Sequence, residues 1–463
     1  MIFSSTLFLF LFLPLVLLIY YAIPKKFLPA KNIVLLIASL IFYAWGEPLN
    51  IVLMILSIVC NYIFGLAIGI SKNDAFARKV VLVISLIYNL GLLFFFKYFN
   101  FVTGNVFEYI ALPIGISFFT FQIMSYTIDV YLKNCKPQKN LFDLGLYISL
   151  FPQLIAGPIV RYIDVNDELA CRDYNLDKIF RGVSRFIMGL AKKVLVSNTV
   201  ALLADTIFAI DRGLNSATAW LGIIAYALQI YYDFSGYSDM AIGLGHMLGF
   251  NFLENFNYPY ISKSVQEFWR RWHISLSTWF RDYLYIPLGG NRKGKVRTYV
   301  NLLIVFFCTG LWHGASFNFI VWGLFYGFFL ILERLFLGKL LQKIPAFIGH
   351  FYTLIVALVG WVFFRADDLE HAIAYLGAMF NFGNFGLVRA AAQLDNLTGI
   401  IMIAAIIFSA PLLPWLRRKL ISISGGNELP ALILNVAGCI MLLLTSIVFL
   451  TGSDYNPFIY FRF

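Results

Sequence analysis

Apolar runs recur along this chain near residues 5–23, 31–46, 49–70, 80–99, 111–131, 141–156, 186–208, 217–235, 299–332, 346–363, 397–415 and 430–450. A helix needs about 20 mainly apolar residues to cross a bilayer, because lipid offers backbone groups no hydrogen-bond partners. Composition agrees: only 13% of the residues are charged and 60% are hydrophobic, where soluble domains carry about 25% charged residues. The pattern predicts an all-α polytopic membrane protein with roughly ten to twelve spanning helices. Some runs are short or interrupted. Residues 150–162, which include Pro152, Gly157 and Pro158, predict a re-entrant or broken segment.

The net charge of +11 is no nucleic-acid footprint, because the basic residues sit in short loops between apolar runs. Lys25, Lys26 and Lys31, then Lys72, Arg78 and Lys79, then Lys133, Lys136 and Lys139, then Arg417, Arg418 and Lys419 mark cytoplasmic loops. Loops 46–48 and 364–372 and the C-terminal tail lack such an excess. Both termini are therefore predicted outside a multi-pass cell (inner, cytoplasmic) membrane protein. No basic residue precedes the first apolar run, so residues 5–23 predict a retained span rather than a cleaved leader. The five cysteines are scattered without a CxxC pair, which gives neither a disulfide framework nor a zinc motif. With no linker or soluble segment, residues 1–463 predict a single membrane-embedded domain.

Residues 251–298 are too polar to span. They hold eight Lys/Arg against three acids and predict a cytoplasmic-side amphipathic helix with a basic loop after it. Over Lys263–Leu284, at about 100° per residue, Val265, Phe268, Trp269, Trp272, Leu276, Trp279, Phe280 and Tyr283 share one arc. Lys263, Glu267, Arg270, Arg271, Arg281 and Asp282 take the other arc. Such a helix lies in the interface plane. Arg270 and Arg271 serve as positive-inside anchors or, with Trp272 between them and His273, as holders of a donor's phosphates, since guanidinium pairs bidentately with phosphate.

His313 is the costliest residue in the sequence. It stands in Gly310–Ser316, inside the run 299–332, and ionisable groups inside spans usually pair, face a cavity or work. With the loop before residue 298 in the cytoplasm, fifteen residues of helical rise put His313 roughly 22 Å deep, past the midplane. The next basic cluster, Arg334, Lys339 and Lys343, again marks the cytoplasm. The run must therefore turn back, around Gly314–Asn318. A structural, hydrogen-bonded histidine is the bland alternative. Cys308 lies about 140° around the same helix, which argues against a dyad with His313 inside it and favours packing for Cys308. For His273 at the edge of the amphipathic arc, a solvated interfacial role is at least as good.

Tyr232–Asp239 places two carboxylates, Asp233 and Asp239, and Ser235 after an apolar span. They orient an imidazole, or Ser238 or Asp239 caps a helix beginning near Met240, which is the commoner use of such residues. His246, His350 and His371 sit near helix or loop ends and have no assigned role. No HxxxH or HExxH motif supports a metal site.

Taken together, the motifs resemble the membrane-bound O-acyltransferase superfamily, in its bacterial alginate O-acetyltransferase branch. The resemblance runs through Phe3-Ser4-Ser5, Phe42–Pro48, Ser125–Tyr131, Phe151–Pro158, Asp233–Asp239, Phe268–Ser277 and Gly310–Ala315 to the tail Asn456–Phe463, where Arg462 replaces an expected glutamine. Their order and spacing carry it. It implies that His313 matches the catalytic histidine and His273 the second motif histidine, with Asp233, Ser235, Asp239 and Trp312 in support. It implies a ring of spanning helices around a thinned central tunnel, with interfacial and re-entrant helices. It also implies acetyl-coenzyme A as a cytosolic donor substrate, no bound cofactor, and a polysaccharide acceptor reached directly or through an extracytoplasmic acetyltransferase partner. A transporter or flippase is the competing class. It accommodates a buried histidine and a broken helix, but the repeats common in transporters are not visible here.

Overall fold

The computed structural model describes every residue except 72, 105–110, 211, 453–454 and 460–463. Lys72, counted among the cytoplasmic lysines, and Arg462 lie outside the described residues, as does the end of the tail motif. Among the described residues all regular structure is helical. Seven helices are long and apolar enough to cross a membrane: Leu28–Gly46, Ile51–Ile70, Ala75–Val102, Leu176–Phe208, Phe317–Leu341, Ala346–Arg365 and Leu429–Gly452. The pair Asn396–Phe408 and Leu412–Ile423, bent by 66°, makes an eighth if taken as one broken span. That is fewer than the ten to twelve expected. The other apolar runs form helices that are shorter, such as Leu141–Ser149, or that carry inward-facing polar groups, such as Ser216–Leu248. The chain is an all-α, multi-pass membrane protein.

The chain divides into two compact units, residues 1–186 with 238–253 and residues 187–237 with 254–463. Two of the three boundaries fall inside long helices, Leu176–Phe208 and Ser216–Leu248, and the third falls in the irregular stretch 250–256.

In the first unit, Ile51–Ile70, Ala75–Leu93 and Ile116–Leu132 pack around a polar seam. Asn61 and Asn89 exchange amide hydrogen bonds (2.8 and 3.1 Å), and Ser85 donates to Asn61 at 3.2 Å. Polar side chains inside spans fix helix pairing in this way. The segment at residues 150–162 is broken as expected: a short helical turn, Phe151–Leu154, is followed by a turn at 155–157 and irregular chain up to Tyr162. Lys31 departs from its predicted loop. It lies in the first turn of Leu28–Gly46, fully buried, donating to the Tyr20 carbonyl at 2.8 Å and the Tyr174 hydroxyl at 2.6 Å.

In the second unit, Lys295–His313 and Phe317–Leu332 form a tight helical hairpin. Glycine makes it possible. A Cβ at Gly310 would collide with the Phe319 carbonyl oxygen, and one at Gly323 with the Phe306 carbonyl oxygen. Small residues let membrane helices approach backbone to backbone. Ala346–Arg365 packs on the returning arm and brings Trp361 and Phe364 to it.

Candidate active site around two buried histidines

His313 is the last helical residue before the turn Gly314-Ala315-Ser316, so the predicted reversal occurs directly after it. It is 4% exposed. Its ring lies 5.0 Å, centroid to centroid, from each of Trp312, Trp322 and Phe364, all at steep angles. The imidazole therefore sits in an aromatic box drawn from both arms of the hairpin and from Ala346–Arg365.

The predicted helix over Lys263–Leu284 is not continuous. Val265–Arg271 stops at Trp272, and Ile274–Phe280 starts after His273, which adopts a left-handed backbone (φ 46°, ψ 53°). For an L-residue this costs about 1–2 kcal/mol and persists only where the surroundings enforce it. Here residues 255–257 supply the hydrogen bonds that the broken helix gives up. Asn257 N–H donates to the Arg271 carbonyl at 2.9 Å, and Ile274 N–H donates to the Asn255 carbonyl at 2.9 Å. The Asn255 side chain completes the joint, its Oδ1 accepting from Ser275 N–H at 3.2 Å and Ser275 Oγ at 2.9 Å.

Asn255 also fixes the chemistry of His273. The atom that receives the Ser275 backbone N–H must be the amide oxygen. His273 Nδ1, 3.2 Å from the same oxygen, therefore carries the proton. Burial, opposed slightly by the residue's own backbone, lowers the His273 pKa from 6.5 to about 3. The imidazole is thus neutral, with Nδ1–H donating and Nε2 left as an acceptor. The His273 ring lies 6.0 Å from Trp312, so one indole touches both histidines.

The remaining predicted residues fall in different places. Trp272 is core: 2% exposed, it packs on Trp361 at 4.7 Å and Phe256 at 5.1 Å. Arg271 pairs with Glu267 at 2.9 Å on its own helix and donates to the Asn257 carbonyl at 3.0 Å, while Arg270 is exposed. Asp233 and Ser235 are not in a loop, and no helix starts near Met240. Ser216–Leu248 runs straight through, because its polar groups find partners inside the protein. Asp233 pairs with Lys193 at 2.6 Å and accepts Ile459 N–H at 2.9 Å. Lys193 also donates to the Pro457 carbonyl, so this buried pair clamps the C-terminal segment. Ser235 is buried beside it on the same helix. Asp239 belongs to the first unit, where it pairs with Arg185 at 2.8 Å.

Asn255, Trp322 and Phe364 are the site residues that sequence reasoning missed. Trp322 had a readable signal: its neighbour Gly323 and Gly310 are the two small positions that let a hairpin close. Asn255 had none, since its role depends on a left-handed residue eighteen positions later.

The sequence pattern of the membrane-bound O-acyltransferase (MBOAT) family matches residues 136–364. The probable alginate O-acetylase AlgI of Pseudomonas putida is 40% identical over the full length of both chains. The peptidoglycan O-acetyltransferase of Helicobacter pylori is 33% identical over all of this chain and 98% of its own. The teichoic acid D-alanyltransferase of Bacillus subtilis is 28% identical over 53% of this chain and 65% of its own.

Proposed function

Because this chain belongs to the membrane-bound O-acyltransferase family, we propose that it transfers an acetyl group from cytosolic acetyl-coenzyme A toward an extracytoplasmic polysaccharide, with His313 as general base. The acceptor is an alginate-type exopolysaccharide or a cell-wall polymer, reached directly or through a partner acetyltransferase. Acyl transfer is common to the relatives by name; the donor, the acceptor and the base are specific to this proposal.

The observation that carries it is the position of His313. With the loop before Lys295 read as cytoplasmic, the first arm of the hairpin carries this imidazole most of the way across the hydrocarbon core, between a cytosolic donor and an outer acceptor. The aromatic box keeps bulk water from the thioester. A neutral His313 accepts the proton of the attacking hydroxyl as the carbon–oxygen bond forms. General-base help of this kind contributes about 10²–10⁴-fold. His273, kept neutral by burial and oriented by Asn255, offers Nε2 as an acceptor that positions the donor or the hydroxyl. Arg270, exposed at the end of Val265–Arg271, serves the donor's phosphates, with Arg271 and Trp272 supporting that helix end. The inner membrane is the location, with both termini outside.

Purified full-length protein given labelled acetyl-coenzyme A tests this. The parent releases or transfers label, and His313→Ala, eluting as the same folded species, does not. Near-parental turnover by His313→Ala would falsify the assignment.

A further inference from the structure

We propose that the indole N–H of Trp322 is the oxyanion donor of this site, hydrogen-bonding the thioester carbonyl oxygen as it becomes negative. The inference rests on His313 acting at an acyl thioester.

Three observations converge on Trp322. It is fully buried (0% exposed), and among the described residues its Nε1 has no hydrogen-bond acceptor. A buried donor left unsatisfied has lost its hydration without replacement, and such groups in native proteins call for an explanation, a catalytic role among them. The ring stands 5.0 Å from the His313 ring at 81°, so the unsatisfied donor is attached to a wall of the box that holds the proposed base. The ring is also immobilised. Trp361 is stacked at 6.3 Å, Phe364 lies at 5.1 Å and Tyr326 packs at 5.4 Å. A donor fixed in a water-excluded site pays no reorganisation cost when charge develops, which makes it effective in stabilising a transition state.

The fold explains how the two groups meet. His313 lies one turn after Gly310 and Trp322 directly before Gly323, the two glycines through which the arms touch. The close approach therefore sets base and donor side by side. Trp269, whose Nε1 is likewise buried without an acceptor, packs 5.6 Å from Trp322 and marks the same wall as donor-rich.

The chemistry balances without a change in Trp322. The acceptor oxygen bonds to the thioester carbon, its proton passes to His313, and the carbonyl π pair moves to oxygen, where the indole N–H meets it. Collapse re-forms the carbonyl and expels the coenzyme A thiolate, which takes the proton from His313.

Benzothienylalanine, which keeps the shape of tryptophan and replaces N–H by sulfur, is placed at position 322 of the full-length protein by nonsense suppression. The expected result is a fall in kcat of about 10²–10³-fold, the usual cost of losing one oxyanion donor. The apparent KM for acetyl-coenzyme A and the pH profile stay unchanged. The same swap at Trp220, whose N–H donates to the Met379 carbonyl at 2.9 Å, leaves kcat as in the parent. Turnover at position 322 within about 3-fold of the parent, as expected if the N–H merely rests on a neighbouring ring, overturns the proposal. So does an equal fall at position 220. His313→Ala in the same assay separates the premises: if it abolishes transfer while the swap at 322 does not, only the oxyanion role is lost.

Discussion

At the scale of single residues, the cost of burying polarity made some of this site visible and hid the rest. His313 was legible because an imidazole in an apolar run is expensive wherever it points. Asn255 and Trp322 break no pattern: one is an asparagine in a polar stretch, the other an aromatic in an apolar helix. Asn255 determines how His273 behaves, and this has a measurable consequence. With a folded pKa lowered by burial to about 3, His273 takes up no proton between about pH 3 and its ordinary value, while the unfolded chain does. Stability is therefore full above pH 6.5 and is lost as pH falls below it, by up to about 2 kcal/mol at about pH 5. Replacing His273 by Asn, which tolerates the left-handed backbone, removes that dependence. The drop in melting temperature in detergent between pH 7 and pH 5 should be smaller in His273→Asn than in the parent; equal drops would show that His273 charges in the folded state. For His273→Ala the expected loss of transfer is partial. Complete loss with donor binding intact would assign direct chemistry to His273.

At the scale of elements, periodicity identified the helices and failed where side chains or loops from elsewhere supplied hydrogen bonds. The turn after His313 followed from loop charges and came out at the predicted place. The break at Trp272–His273 did not, because the apolar arc continues across it and only residues 255–257 make it affordable. The continuous Ser216–Leu248 is the converse case. Asp233 and Asp239 suggest caps by residue type, yet their partners, Lys193 and Arg185, lie on the preceding helix, beyond what local pattern shows. The hairpin offers the sharpest test at this scale. Gly310→Ala or Gly323→Ala places a methyl against a backbone carbonyl oxygen that cannot rotate away. Either variant should separate the arms, with loss of folded protein on gel filtration or, in what folds, of acetyl transfer. Gly438→Ala in Leu429–Gly452 meets nothing within 4 Å and should be neutral. Parental yield and turnover in Gly310→Ala would mean that the arms can part without consequence for His313.

At the scale of the whole molecule, the function proposed here depends on which side each loop faces. Composition settled that the chain spans a membrane, but orientation rests on loop charge alone. Lysines near helix ends are not all loop residues, as buried Lys31 demonstrates, so the rule is stronger for exposed clusters than for single residues. Residues 291–297 are the best such cluster: Arg292, Lys293, Lys295 and Arg297 are all exposed. From there the 19-residue helix Lys295–His313 rises about 27 Å, nearly the thickness of the hydrocarbon core, and Ala346–Arg365 ends close to His313 through Phe364. If residues 291–297 are cytoplasmic, the exposed turn at Asp367 and Asp368 faces outward, and His313 stands at the end of its helix away from the basic loop. Single cysteines test this once Cys171, the exposed native thiol, is replaced. In intact cells a membrane-impermeant maleimide should label Asp367→Cys at once and Lys293→Cys only after permeabilisation. The reverse order would invert the protein and put the basic loop outside, where no cytosolic thioester reaches it. The mechanism would then need an outer donor. Labelling of both sites from outside would place His313 on a segment that does not cross at all, and the case for transfer across the membrane would fail with it.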